Sequence, residues 1–371
     1  MVTSNSSTTL IMYNETNSSM NYTTECTFNV QLFLQYIGTP VIIFGFIGNF
    51  LSILVFSRKT LRSRSCSIYF LALSVSDVIV LFGYTVENLL YHGYSIQLLS
   101  NSFMCKLTIF LIYASTDISK YLLTLAAIDR CVLISTYSKR YRFCRKSTAK
   151  LMIVFVITVF SLVNSHILFG FDVDEYGACL PTSEKYKYFY TNHYDSYIDL
   201  FKTVLIPFIA IFICNAFIII KYSHRKYSLP SNASLRRKSR RRREKDRQLT
   251  WFLLSTSILF IILSSPSEIN DFVRSYLSQN FRDTYSCQLW AYTAIFILMH
   301  QTNHASHFYI YTLTGPIFRK EFQKLICPYP KQTNKKFVFH YSKRQSITIN
   351  DCPHDDIHNH PIIIYSDKDV H

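Results

Sequence analysis

The chain predicts an all-α membrane protein, a bundle of seven membrane-spanning helices, and three observations lead there. Seven apolar blocks fall at roughly 32–57, 66–91, 102–135, 149–171, 196–222, 248–276 and 287–313. Each exceeds the about 20 apolar residues that a helix needs to cross a bilayer. Basic residues concentrate on alternate connecting segments, and glycine (8) and proline (10) are scarce among 371 residues that are 49% hydrophobic and 16% aromatic. Lipid admits only helices or closed barrels, and blocks of this length are far longer than barrel strands.

Residues 1–31 contain no Lys or Arg and carry four glycosylation sequons, at Asn5, Asn14, Asn17 and Asn21. Sequons in a polar tail place it outside the cell. The tail has no basic start, apolar core and small-residue cleavage site, so the first span is expected to act as the insertion signal. Between the first two spans lie Arg58, Lys59, Arg62 and Arg64, and the next inner segment has Lys139, Arg140, Arg142, Arg145, Lys146 and Lys150. The segment 221–247 is the densest, with Arg236-Arg237-Lys238 and the run Arg240 to Arg243. This alternation follows the positive-inside rule and sets the N-terminus outside, in a multi-pass protein of the plasma membrane. The net charge of +16 therefore answers anionic lipid on the inner face, and nucleic acid is excluded as a partner. Cys26, Cys105, Cys179 and Cys287 fall on outer segments, where three connectivities are open to them.

Three strings carry a family likeness. Asp129-Arg130-Cys131 closes the third span, and Cys105 stands 25 residues before Arg130. At 1.5 Å per residue that separation is about 37 Å, one membrane face to the other. Near the end of the last span, Asn303 leads into His307-Phe308-Tyr309-Ile310-Tyr311. Together these resemble a rhodopsin-like (class A) G-protein-coupled receptor, and the likeness covers about residues 32–327. Gly48-Asn49 matches the Gly-Asn of the first span, and Leu71-Ala72 with Asp77 matches the Leu-Ala-x-x-x-x-Asp of the second. A carboxylate at mid-membrane is costly, which makes Asp77 a functional candidate in its own right.

The resemblance implies roles. Asp77 would hold a sodium ion with Ser119 and Asn303, but the remaining seventh-span positions of that pocket are His304 and His307. Arg130 would be held at rest by Asp129 and by Asp246, 20 residues before Pro266, and released toward a G protein on activation. Pro207, Phe260, Pro266 and Tyr311 match switch positions, with Pro266 as a hinge. Ser264 replaces the usual Trp, Asn215 a common Tyr, and Lys120 an apolar residue that packs on the fifth-span proline; the fourth span lacks its Trp. Of the pairings left open, the likeness selects Cys105–Cys179, and some peptide and chemokine receptors look like the pairing that remains, Cys26–Cys287. It adds a short amphipathic eighth helix beginning near Phe318-Arg319, with Cys327 as a palmitoylation site. Leu61 to Tyr69, Cys144-Arg145-Lys146, Asn215 and Lys245 to Thr250 look like invertebrate FMRFamide-type neuropeptide receptors.

The expected organisation is therefore an outer tail (1–31), the seven-span domain (32–313), helix eight (314–327) and a cytoplasmic tail (328–371). Retinal attachment needs a Lys where this chain has Gln301, and amine receptors need an Asp where it has Ile112. The second outer segment, about 172–196, carries Tyr176, Tyr186, Tyr188, Tyr190 and Tyr194, which suits a peptide. Glu87, Glu268 and Asp271 are acids at outer helix ends; Glu268 and Asp271, three apart, share a helix face. They are read as receiving a peptide's Arg or amino end, against pairing with Lys106, Lys202 or Arg274. An odorant or lipid receptor of the same fold would show a closed, greasy pocket instead. His300, His304 and His307 share a face as zinc ligands do, but seven-helix membrane hydrolases keep the N-terminus inside, so no enzyme is expected. The implied partners are an extracellular peptide, a heterotrimeric G protein, membrane lipids and arrestin.

Overall fold

A computed structural model describes residues 29–135, 144–223 and 233–326, with the side chains of 222–223, 233–250, 252, 279, 280 and 283 outside the description. The glycosylation sites Asn5, Asn14, Asn17 and Asn21, together with Cys26, Cys327 and the 328–371 tail, lie outside the described residues.

Seven long helices carry the chain back and forth. They are α1 (Asn29–Phe56), α2 (Ser65–Gly93), α3 (Ser102–Ser135) and α4 (Lys146–Asn164, prolonged by a turn at Ile167–Gly170). A two-stranded antiparallel hairpin follows, β1 (Phe171–Val173) and β2 (Cys179–Pro181), and then α5 (Glu184–Lys221), α6 (Ala233–Tyr276) and α7 (Ser286–Thr314). An amphipathic α8 (Pro316–Ile326) ends the described chain. Each predicted span is a helix, and outward-facing Phe44, Phe50, Leu151, Phe212 and Ile262 give the bundle an apolar exterior. The first six long helices are apolar enough to cross a membrane. The seventh is 29 residues long but less apolar, because His300, Gln301, Asn303, His304 and His307 interrupt it. All five are buried, so the polar face of α7 is turned into the bundle, where a polar side chain inside a membrane belongs.

One stretch departs from the sequence reading. The second outer segment is short, and α5 begins at Glu184 rather than near 196. Ser183 caps it, its hydroxyl accepting from the Tyr186 amide. Tyr186, Tyr190 and Tyr194, four residues apart, stack in sequence with interplanar angles of 25° and 23°. The tyrosines expected in a loop are thus mostly helical. The hairpin turn needs Gly177 at φ 80°, where the Asp174 carboxylate accepts from the amides of Tyr176 and Ala178. Helix α6 likewise starts earlier than 248, running back through the basic segment to Ala233.

Close approach of α1 and α7 depends on Gly45, where a Cβ would lie 2.7 Å from Leu81 Cδ1 and 2.9 Å from Ala305 Cβ. Near the Arg130 end, Phe56, Phe70, Tyr311 and Phe318 form an aromatic cluster. Arg58 reaches Glu321 at 2.9 Å and docks α8. Burial raises the Glu321 carboxyl, and hydrogen bonds from Lys324 and Arg58 outweigh it and hold the group below its ordinary range.

Candidate functional site

The centre of the bundle is charged. Asp77 on α2 is fully buried and engaged on both oxygens. Ser119 Oγ donates to Oδ1 at 2.6 Å, His304 Nδ1 lies 2.7 Å from the same oxygen, and His307 Nδ1 lies 2.7 Å from Oδ2. Asn49 on α1 donates to the His304 carbonyl at 3.0 Å, fixing the height of α7 against α1. Asn303 is buried, but its Oδ1 has no hydrogen-bond partner and it does not reach Asp77. A ring nitrogen that presents its proton to a carboxylate is a donor and not a cation ligand. With both Asp77 oxygens faced by imidazole, these residues do not suit a sodium ion.

A second charged pair stands above the first. Lys120 Nζ on α3 lies 2.9 Å from Glu268 Oε1 on α6, with side-chain exposures of 1% and 7%. Glu268 is therefore occupied by Lys120, not by Lys106, Lys202 or Arg274. The reason is geometric: Lys120 on α3 reaches across the bundle to α6. Phe260, a predicted switch residue, lies beneath it, with Lys120 Nζ 6.0 Å from the ring centroid. Pro266 sits inside α6 two residues before Glu268, and Ser264 is fully buried with an unpartnered Oγ. His300 joins the two charged centres. Its Nε2 is 3.1 Å from His304 Nε2, and its Nδ1 is 3.8 Å from Glu268 Oε1.

A third cluster was missed by sequence reasoning. Lys202 on α5 bridges Asp117 on α3 at 2.8 Å and Asp199 at 2.9 Å. Asn164 on α4 donates to Asp117 at 2.8 Å, and Tyr194 donates to Asn164 at 2.5 Å. The available signal was general: an ionisable residue inside an apolar block is a candidate by default, and Asp117 and Lys202 both qualify.

Toward the disulfide end, Cys105–Cys179 ties α3 to β2 as the resemblance implied, with 5.5 Å between Cα atoms. Cys287 is also disulfide-bonded, and Cys26 is outside the described residues. Lys106 reaches Asp172 at 2.8 Å, and its hydrogen bond leads the interactions that hold the exposed Asp172 carboxyl well below the usual range. Tyr113 donates to Asp195 and meets the Tyr190 hydroxyl. Asn270 donates to Asp271 at 3.3 Å. Glu87 is half-buried and has no hydrogen bond or ion pair among the described residues. Of the ligand-pocket candidates, Ile112 packs against Val80, Tyr84 and Gly83, and Gln301 is buried in α7; neither offers a charge.

At the opposite end, Asp129 and Arg130 are both buried, with Arg130 Nε 3.9 Å from Asp129 Oδ2. Asp246 is on α6, and its side chain lies outside the described residues. Tyr311 is buried in the aromatic cluster, and Pro207 is buried on α5.

Comparisons with known proteins identify the family. Over 323 residues the chain is 23% identical to somatostatin receptor type 1 of Rattus norvegicus, covering 84% of this chain and 76% of that one. It is 27% identical over 134 residues to chemerin-like receptor 1 of Bos taurus, and 22% identical over 202 residues to cysteinyl leukotriene receptor 1 of Sus scrofa. The matches span 36% and 58% of those two relatives, and 35% and 54% of this chain. Residues 48–303 match the seven-transmembrane receptor family of rhodopsin type. With most of its length matched, and with seven helices, the α3 disulfide and the buried Asp-Arg pair in place, the chain belongs to the rhodopsin family of seven-transmembrane receptors and is not an enzyme.

Proposed function

We propose that this receptor binds a cationic extracellular peptide at its disulfide end and activates a heterotrimeric G protein at its Arg130 end. The observation that carries the ligand is a charge imbalance. In the disulfide half, among the described residues, the acids Glu87, Asp117, Asp195, Asp199, Glu268 and Asp271 outnumber the cations that act on them, Lys120, Lys202 and Arg274. Lys120 and Lys202 are spoken for, by Glu268 and by Asp117 with Asp199. Asp195 and Asp271 are left to share Arg274, which also donates to Thr293 at 2.8 Å, and Glu87 has no ion pair among the described residues. Half-buried carboxylate in excess of cation is unfavourable until a positive group arrives. That argues for an Arg side chain or a free amino end, and against a neutral lipid or odorant. The named ligands of the relatives differ, so they do not choose among these.

The sequons and basic loops support an outer N-terminus in the plasma membrane, and a basic inner face suits anionic lipid, the G protein and arrestin. The likeness to FMRFamide-type receptors makes an amidated neuropeptide the first class to try. The test is a calcium and cyclic-AMP screen of intact cells against amidated peptides, repeated with Asp271→Lys. An Arg-containing agonist should lose potency by about tenfold or more in the variant while its neutral analogue loses little. Equal losses would show that Asp271 is structural. Epitope tags test the orientation: one at residue 1 should stain on intact cells, and one at residue 371 should need permeabilisation.

A further inference from the structure

The histidines of α7 form a continuous path between two acids on different helices. Asp77 Oδ1 meets His304 Nδ1 at 2.7 Å, His304 Nε2 meets His300 Nε2 at 3.1 Å, and His300 Nδ1 faces Glu268 Oε1 at 3.8 Å. The two ring planes are 23° apart, with centroids 5.1 Å apart. His300 Nδ1 is buried and lacks a hydrogen-bond partner, and it points at the carboxylate that Lys120 holds. Other groups face the path from every side. Glu268 itself meets Asp199 from α5, within hydrogen-bond reach, and Asp271 on its own helix. His300 meets Lys120 and Glu268 from α3 and α6, and Tyr84 from α2 with ring centroids 5.7 Å apart. His304 meets Asp77 from α2, Ser119 and Lys120 from α3, and His307 on its own helix. Imidazole exchanges protons near neutrality, and each ring can accept on one nitrogen while releasing from the other.

We propose that His300 and His304 form a proton relay, so that a single proton reports at Asp77 whether Lys120 still holds Glu268. With Lys120 on Glu268, the carboxylate stays ionised. His300 then carries its proton on Nδ1, toward Glu268, and accepts at Nε2. His304 is an imidazolium, donating from Nδ1 to Asp77 and from Nε2 to His300. When α3 and α6 part and Lys120 withdraws, the proton on His300 Nδ1 passes to Glu268, whose O–H bond forms as the N–H bond breaks. His304 Nε2 gives its proton to His300 Nε2. Glu268 ends as a neutral acid, His300 remains neutral with its proton moved from one nitrogen to the other, and His304 is discharged beside Asp77. No proton is gained or lost overall. This reaches beyond the ligand reading and does not depend on it, since the relay needs neither ligand nor G protein.

The test exploits a sign. Removing a positive charge near His304 should, by electrostatics alone, let His304 take up a proton more easily. The relay requires the opposite: with Lys120 gone, Glu268 holds the proton and donates to His300 Nδ1. His300 Nε2–H then points at His304 Nε2, where a second N–H would collide with it. Purified full-length receptor labelled with ¹⁵N-histidine is placed in lipid nanodiscs and titrated between about pH 5.5 and 8.5. The His304 signal is assigned by its loss in His304→Ser. Lys120→Met should lower the His304 midpoint by about one pH unit, a tenfold loss of proton affinity. The same change in a His300→Phe background should leave the midpoint unmoved or raised. If the Phe variant does not fold, His300→Gln replaces it, because its amide can turn either end and removes the collision. A midpoint that rises or stays fixed when Lys120→Met is made in the His300 receptor overturns the relay. So does an equal fall with and without His300.

Discussion

Removing Lys120 tests the packing account most sharply. Lys120 and Glu268 lie 2.9 Å apart with side-chain exposures of 1% and 7%, so water screens neither. At an effective dielectric of about 20, unit charges at that distance attract by about 6 kcal/mol. Desolvation of both ions offsets most of this, which is why an intact buried pair adds little over an apolar one. Breaking such a pair is different: one stranded buried charge costs about 3–5 kcal/mol. Lys120→Met should fall near the lower end, because Glu268 can neutralise itself by taking the proton from His300. Glu268→Met should fall near the upper end, because it strands an ammonium. The double substitution should recover most of the loss, since two apolar side chains then meet. The assay is the denaturation midpoint of purified receptor, read together with ligand-independent nucleotide exchange, which should rise in the single variants as the α3–α6 tie is released. Single losses that simply add in the double variant would refute the pairing, as independent sites behave that way.

Four further outcomes are expected. Cys105→Ala and Cys179→Ala should each cost about 4 kcal/mol, as for closing a long loop, and the double variant should be no worse than either, read by surface expression and unfolding. Arg130→Ala should abolish nucleotide exchange while leaving the receptor folded, and Asp246→Ala should raise basal exchange; unchanged exchange in Arg130→Ala would remove the role assigned to the Asp-Arg pair. Gly45→Ala should destabilise by about 1–3 kcal/mol, because its Cβ has no room against Leu81 and Ala305. Exchanging sodium for choline should leave the thermal midpoint unchanged, and His304→Ser with His307→Asn should create a sodium-dependent rise.

The fold was legible because its signals are local. Each span is an apolar run, and the Cys105-to-Arg130 spacing alone measures the membrane. Asp77, Ser119, His304 and His307 were also legible, since family spacing along two helices places them at one depth, and the structure brings all four together. The tyrosines of α5 were misread as a loop because their polar, aromatic composition resembles one; the Ser183 cap and the stacking of Tyr186, Tyr190 and Tyr194 make them helical. Lys120 was visible only as a departure. Its partner on α6 is 148 residues away, and no pattern along the chain encodes a contact between two isolated charges. Asp117 escaped for the same reason, since its partner Lys202 lies on another helix; the contact of Lys202 with Asp199, three residues earlier on α5, was a local signal.

The central claim is that a cationic peptide outside drives nucleotide exchange inside through this charged core. The most direct measurement is guanine-nucleotide exchange on purified G protein by receptor in nanodiscs, challenged with amidated Arg-containing peptides and with neutral lipids. The account predicts exchange that is stimulated by a cationic peptide, weakened about tenfold or more by Asp271→Lys and abolished by Arg130→Ala. Stimulation by a neutral lipid at undiminished potency in Asp271→Lys, with no response to any cationic peptide, would contradict it.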